Sequence, residues 1–220
     1  MTGIFLQARL DSTRLPGKAL LPLGDRTVTE QALRALSEVT AEVRALLTDR
    51  NSALALAPLA RRAGWRVYIG PKEDVLARFA GAVRHFSVDT VIRATGDNPL
   101  VCPDLAEEAL ERFRREGADY CGLTDIPVGA GVEILEGSSL LLADREARDP
   151  YDREHVAPFL YRNPDRFRIC RVPASRPWSG RITLDTREDY EYLSRLFDRL
   201  YSGERISRTI LEPWLAENAR

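Results

Sequence analysis

Between Arg9 and Lys18 the chain runs Arg-Leu-Asp-Ser-Thr-Arg-Leu-Pro-Gly-Lys, gathering Arg9, Arg14 and Lys18 with the hydroxyls of Ser12 and Thr13 and a glycine, Gly17. Oxyanions are bound by such a set: forked guanidiniums, an ammonium point charge, and backbone N–H groups left open where glycine removes the side chain. Of the 32 basic residues only Lys18 and Lys72 are lysines. An ammonium and a guanidinium are not interchangeable, so each lysine kept in so arginine-rich a chain merits inspection. The spacing is neither a Walker A loop nor a dinucleotide fingerprint, and Gly129 and Gly131 lack the third glycine that the latter needs. Two aspartates follow short apolar runs: Asp97 after Ile92-Arg93-Ala94-Thr95-Gly96, and Asp185 after Ile182-Thr183-Leu184. One or two carboxylates, with water and substrate phosphates, make a Mg²⁺ site. Two strand-end acids opposite a cationic loop therefore point to metal-assisted transfer from a phosphorylated substrate.

A frame must bring these pieces together, and the hydropathy pattern supplies one. Short apolar runs at Ile4–Leu6, Val43–Leu47, Trp65–Ile69, Thr90–Ala94 and Ala118–Gly122 read as strands. Helical periodicity separates them after a cap at Thr27 or Thr29, and again over 53–63, 74–86 and 103–116. Strands joined by helices of this length need crossovers, which predicts a three-layer α/β fold with a mostly parallel, doubly wound sheet. Function in such sheets collects at the carboxyl ends of strands near a topological switch point, where the Arg9–Lys18 loop and Asp97 fall. The last third is less regular. Strands are expected at Val132–Leu135, Phe167–Val172 and Arg181–Leu184, and helices at 139–148, 155–161, 188–200 and 206–218. The whole chain, 1–220, reads as a single domain, with 129–177 as an inserted arm, small subdomain or dimerisation region.

Composition narrows the class. The 220 residues carry a formal net charge of −1, which argues against a protein built to lie along nucleic acid. Cys102, Cys121 and Cys170 form no CxxC pair, against a disulfide framework or a zinc cluster and in favour of a reducing, cytoplasmic compartment. There is no apolar run of about 18 residues for a membrane span, and the opening stretch, interrupted by Gln7 and Arg9, is unlike a secretory signal.

The motifs resemble the cytidylyltransferase family that includes the CMP-KDO and CMP-sialic acid synthetases, above all its spore-coat polysaccharide branch. The likeness rests on Gln7-Ala8-Arg9, on Ser12 to Lys18, and on Glu73-Asp74-Val75-Leu76 with Arg78. It continues through Arg93 to Asp97 with Pro99-Leu100, Arg153-Glu154-His155-Val156, and Leu184-Asp185-Thr186 with Glu188-Asp189. The resemblance implies a nucleotide-diphospho-sugar transferase-like fold and Mg²⁺-dependent transfer of CMP from CTP to a small acidic acceptor, releasing pyrophosphate. Carried over residue by residue, it implies that Arg9, Ser12, Arg14, Gly17, Lys18, Arg78, Arg93 and Thr95 hold the nucleotide. It further implies that Lys18, Arg14 and Asp97 are catalytic, that Asp97 and Asp185 hold Mg²⁺, and that the enzyme is a homodimer. Glu133 and His155 are the expected acceptor contacts, although the aspartate many relatives carry two residues before that glutamate is Gly131 here. Other classes share such motifs in part: a nucleotidylyltransferase or glycosyltransferase using another nucleotide, or a catalytically silent nucleotide-binding protein. Keeping Lys18, Asp97 and Asp185 together favours active chemistry.

Overall fold

A computed structural model describes residues 1–218. The first strand, β1 (Thr2–Gln7), alternates its side chains between two buried faces: Ile4 and Leu6 join one core and Phe5 the other. A strand apolar on both faces must lie inside a sheet covered by helices on each side. Accordingly β1 pairs in parallel with β4 (Val43–Thr48) on one side and β6 (Thr90–Thr95) on the other. Beyond β4 lies β5 (Arg66–Ile69), also parallel. On the far side β8 (Glu133–Glu136) runs antiparallel between β6 and β7 (Tyr120–Thr124), and β9 (Ile169–Pro173) closes the edge parallel to β7. The resulting order is β5-β4-β1-β6-β8-β7-β9. The chain winds outward from β1 in one direction and then returns to β1's other flank, so the switch point lies between the ends of β1 and β6.

One face is covered by α1 (Val28–Leu36), α2 (Arg50–Arg62) and α4 (Pro103–Glu116), the other by α3 (Val75–Phe86) and α5 (Gly137–Glu146). Three of these helices start where side-chain oxygens satisfy the orphan N–H groups of a first turn. Thr27 and Glu30 form a reciprocal capping box on α1, Asp49 caps α2, and Asp74 caps α3. A third apolar cluster gathers Trp178, Ile182 and Leu184 under the C-terminal helices α8 (Arg187–Leu200) and α9 (Arg208–Glu217).

Several expected elements differ. The long loop after β1 holds a one-turn 3₁₀ helix at Lys18–Leu20 and a two-stranded hairpin, β2 (Pro22–Leu23) with β3 (Arg26–Thr27), turning at Gly24. Arg181–Leu184 is not a strand of the sheet. Ile182 and Leu184 bury their side chains in the third cluster, and the segment crosses the sheet's end with one parallel bridge, Arg181 to Val128. The helix expected over 155–161 is two short ones, α6 (Pro150–His155) and α7 (Pro158–Tyr161), broken at Val156. The 129–177 segment contributes β8 to the sheet interior and β9 to its edge, with α5, α6 and α7 on the Phe5 face. All three cysteines are buried and free.

Candidate active site

The end of β1 is held close against the end of β6. Gly96 N–H donates to the Gln7 carbonyl at 2.8 Å. A Cβ on Gly96 would lie 2.8 Å from that of Ala8, so a side chain there would drive the two strand ends apart. The loop that follows β1 folds back on itself: Gly17 N–H reaches the Leu10 carbonyl at 2.8 Å, and Gly17 takes the left-handed φ of 72° that favours glycine. This turn delivers Lys18 to the switch point.

There Lys18, its side chain only 13% exposed, meets both aspartates. Its Nζ donates to Asp97 Oδ2 at 2.8 Å, to Asp185 Oδ1 at 3.0 Å and to the Leu184 carbonyl at 2.7 Å. Leu184 N–H in turn donates to the Asp97 carbonyl at 2.8 Å, pinning the Asp185 segment across the end of β6. Arg14 and Arg181 also reach Asp185, at 3.1 Å and 2.9 Å. Burial works against the charge on Asp185, but Lys18, Arg14 and Arg181 outweigh it and hold its carboxyl below the ordinary aspartate range.

These groups line a cavity of about 320 Å³ whose walls carry Arg9, Ser12, Thr13, Arg14, Lys18, Arg78, Arg93, Thr95, Asp97, His155 and Asp185. Arg9 is held loosely, 3.7 Å from Asp11 and 3.7 Å from Glu154. A second cavity of about 380 Å³ shares Arg93 and Thr95 with the first and is floored by Glu133, Tyr120 and Asn98. In it Arg93 pairs with Glu133, whose other oxygen accepts the Tyr120 hydroxyl at 2.9 Å. Burial, with Glu133 beside it, pushes the Tyr120 hydroxyl's pKa up, so that it stays a neutral donor. The charges facing the second cavity are thus balanced, whereas the first is rich in cations.

Among the described residues no group of three or more His, Cys, Asp or Glu side chains is placed to hold a metal. The two carboxylate oxygens and one carbonyl around Lys18 are all hard donors. That is the chemistry of a cation which fills the rest of its shell with water and phosphate, as Mg²⁺ does.

Comparison with known proteins agrees with this geometry. The cytidylyltransferase family model matches residues 4–206. The chain belongs to the cytidylyltransferase family. It is 30% identical over 210 residues to the spore coat polysaccharide biosynthesis protein SpsF of Bacillus subtilis, covering 91% of this chain and 87% of that one. A cytidylyltransferase structure from Leptospira borgpetersenii superposes with a TM-score of 0.91 at 30% identity, over 99% of this chain and 94% of the other. A CMP-KDO synthetase complexed with CTP shares the fold, with a TM-score of 0.67 at 15% identity over 90% and 98% of the two chains. As a cytidylyltransferase the protein is an enzyme that transfers a nucleotidyl group.

Within this cytidylyltransferase, most residues singled out from the sequence converge on the first cavity. Gly17 does not line it and acts through the turn that presents Lys18; Glu133 lines the second cavity. Arg78 reaches the wall but is only 1% exposed, and its Nε and Nη2 donate to the Pro71 and Lys72 carbonyls at 2.7–2.9 Å. Those bonds hold the loop before α3. Three features escape a sequence reading. Gln7 lines the cavity with a buried, unpaired Oε1. Arg153 pairs with Asp74, the cap of α3, at 2.5 Å and with Asp144 at 2.9 Å, joining two motif blocks far apart in sequence. Val156 closes a tight γ-turn at φ 74°, Ala157 N–H to the His155 carbonyl at 2.9 Å, which ends α6 with Glu154 and His155 on the cavity wall. The ring of His155 packs 4.2 Å from that of Tyr151. No helix among the described residues is long and apolar enough to cross a membrane.

Proposed function

We propose that this enzyme transfers CMP from CTP to a small acidic acceptor, an acidic sugar or a related compound, releasing pyrophosphate for surface polysaccharide or glycoconjugate biosynthesis. The observation that carries the reading is the meeting of Lys18, Asp97 and Asp185 at the β1/β6 switch point, beside the guanidiniums of Arg9 and Arg14. Arg9, Ser12 and Arg14 hold the triphosphate, with backbone N–H groups of the loop completing the anion site. Asp97 and Asp185 hold Mg²⁺, which when bound offsets negative charge on the attacked and leaving phosphates. An acceptor hydroxyl oxygen forms the new bond to the α-phosphorus, its proton passing to solvent water, as the bond to the bridging oxygen of pyrophosphate breaks. Lys18 and Arg14 stabilise the charge that develops on the departing group. The body of the acceptor lies in the second cavity over Glu133. Arg93 is already neutralised there, so the acceptor's acid group turns toward Arg9 and His155 in the first.

Buried, unpaired thiols suit a cytoplasmic setting. Homodimerisation through 129–177 belongs to the same reading. The test is pyrophosphate release from CTP, with Mg²⁺ and acidic acceptors, by the wild type and by Asp97→Asn. The expected result is release by the first and little by the second. Undiminished turnover in Asp97→Asn would overturn the metal assignment.

A further inference from the structure

Lys18 stands at the point where the two aspartates converge, and all of its bonding capacity is engaged there. An ammonium group has three hydrogens; those of Lys18 go to Asp97 Oδ2 at 2.8 Å, Asp185 Oδ1 at 3.0 Å and the Leu184 carbonyl at 2.7 Å. None is left for a phosphate. The same three oxygens, two of them charged, are the ligands a hard divalent cation would take from this cage. An ammonium and a divalent cation cannot share it, because like charges about 3 Å apart in a part-buried site repel strongly. One of them must leave before the other enters.

Lys18 is free to be the one that leaves. Its ammonium sits on a flexible four-carbon stem, and Asp185 keeps Arg14 and Arg181 as partners when Lys18 withdraws. The adjoining wall, with Ser12 and Arg14, is where a triphosphate would offer Lys18 new acceptors.

We propose that Lys18 is the resident counter-ion of the free enzyme, and that the divalent cation takes its seat between Asp97 and Asp185 only as Lys18 swings onto the nucleotide's phosphates. The inference rests on reading Asp97 and Asp185 as the cation's ligands. Its consequence is that nucleotide and metal bind with positive coupling, each drawing in the other, because one side chain blocks the metal seat until phosphate relieves it. The free enzyme then binds divalent cations poorly and admits the metal together with nucleotide.

The experiment is Mn²⁺ binding to the full chain without nucleotide, followed by electron paramagnetic resonance. The wild type is compared with Lys18→Met and with the double variant Lys18→Met, Asp97→Asn. Lys18→Met should bind Mn²⁺ at least tenfold more tightly than the wild type, and Asp97→Asn should abolish the gain. Equal or weaker binding by Lys18→Met would overturn the proposal. Should Lys18→Met not fold, as judged by its thermal melt, the wild type answers by itself. With only Lys18 and Lys72 to assign, ¹³C-labelled lysine resolves both side chains. Mg²⁺ alone should then leave both signals in place, and Mg²⁺ added with pyrophosphate should shift that of Lys18; a Lys18 signal unmoved by Mg²⁺ with pyrophosphate overturns the exchange. Pyrophosphate release from CTP is measured on the same wild-type sample. Turnover without a gain in Lys18→Met refutes the shared seat alone, and a gain without CTP turnover refutes the proposed function alone.

Discussion

Asp185→Asn separates binding from catalysis in a direction that a simple loss of function would not give. The substitution keeps the size of the side chain and removes one negative charge from a point that Arg14, Lys18 and Arg181 all approach within 3.1 Å. An anion lodged about 6 Å away gains about 0.7 kcal/mol per unit charge at the dielectric of water and about 3 kcal/mol at an effective value of 20. With salt screening over about 8 Å, a net gain of about 1–2 kcal/mol is expected, or about 5- to 30-fold tighter binding. The assay is isothermal titration of pyrophosphate in the presence of a chelator, so that no metal contributes. The gain should shrink as salt is raised, while turnover with Mg²⁺ falls. Unchanged or weaker pyrophosphate binding would refute the electrostatic reasoning.

The pH dependence follows from the same contacts. Asp185 is held below its ordinary value of 3.8, since Lys18, Arg14 and Arg181 outweigh the burial that opposes its charge. A carboxyl depressed by folding stabilises the protein above its unfolded pKa, and that contribution fades as pH falls through the folded value. The wild type's stability advantage over Asp185→Asn should therefore be full near neutrality and close as pH drops below about 4.

Other expectations follow from the geometry. Gly96→Ala would place a Cβ 2.8 Å from that of Ala8 and 3.2 Å from the Gln7 carbonyl, displacing Asp97 next in the chain; kcat should fall at least about tenfold in a folded protein, and an unchanged kcat would contradict the tight strand-end packing. Thr27→Ala breaks the capping box of α1 away from the site, so a calorimetric scan should show a loss of about 1 kcal/mol, about 2–4 °C in Tm, with kcat unaltered. Arg153→Met removes the link from α6 to Asp74 and Asp144; Asp144 keeps Arg84 at 2.7 Å, whereas the charge of Asp74 loses its ion-pair partner in part-buried surroundings. It should cost about 2 kcal/mol and raise the acceptor KM more than it lowers kcat.

The strands that position the site were legible because burial on two faces leaves short apolar runs, as at Ile4–Leu6 and Val43–Leu47. Turn chemistry then marked where those runs end. Asp97 and Lys18 could be placed on one sheet edge from sequence alone, since both follow strand signals in a wound α/β pattern. Arg181–Leu184 misled for the same reason. Its buried Ile182 and Leu184 look like a strand's, but they pack under α8 and α9 rather than pairing in the sheet. The break at Val156 has no local signal, because a β-branched residue at positive φ is imposed by its surroundings and not by its own preference. Nor does the sequence say that Arg153 meets Asp74, a contact across 79 positions that only the packing of α6 on α3 creates. The triple engagement of Lys18 is likewise a product of the folded chain: charge patterns place a lysine near a phosphate, and the structure seats it between two carboxylates.

The central claim is that the cationic loop after β1 and the two acids at the switch point handle CTP. Its most direct test is pyrophosphate release with each of the four nucleoside triphosphates in turn, with Mg²⁺ and a panel of acidic acceptors. The account predicts release with CTP and little with ATP, GTP or UTP. Release with UTP or GTP in place of CTP, or with no nucleotide across the panel, would contradict it.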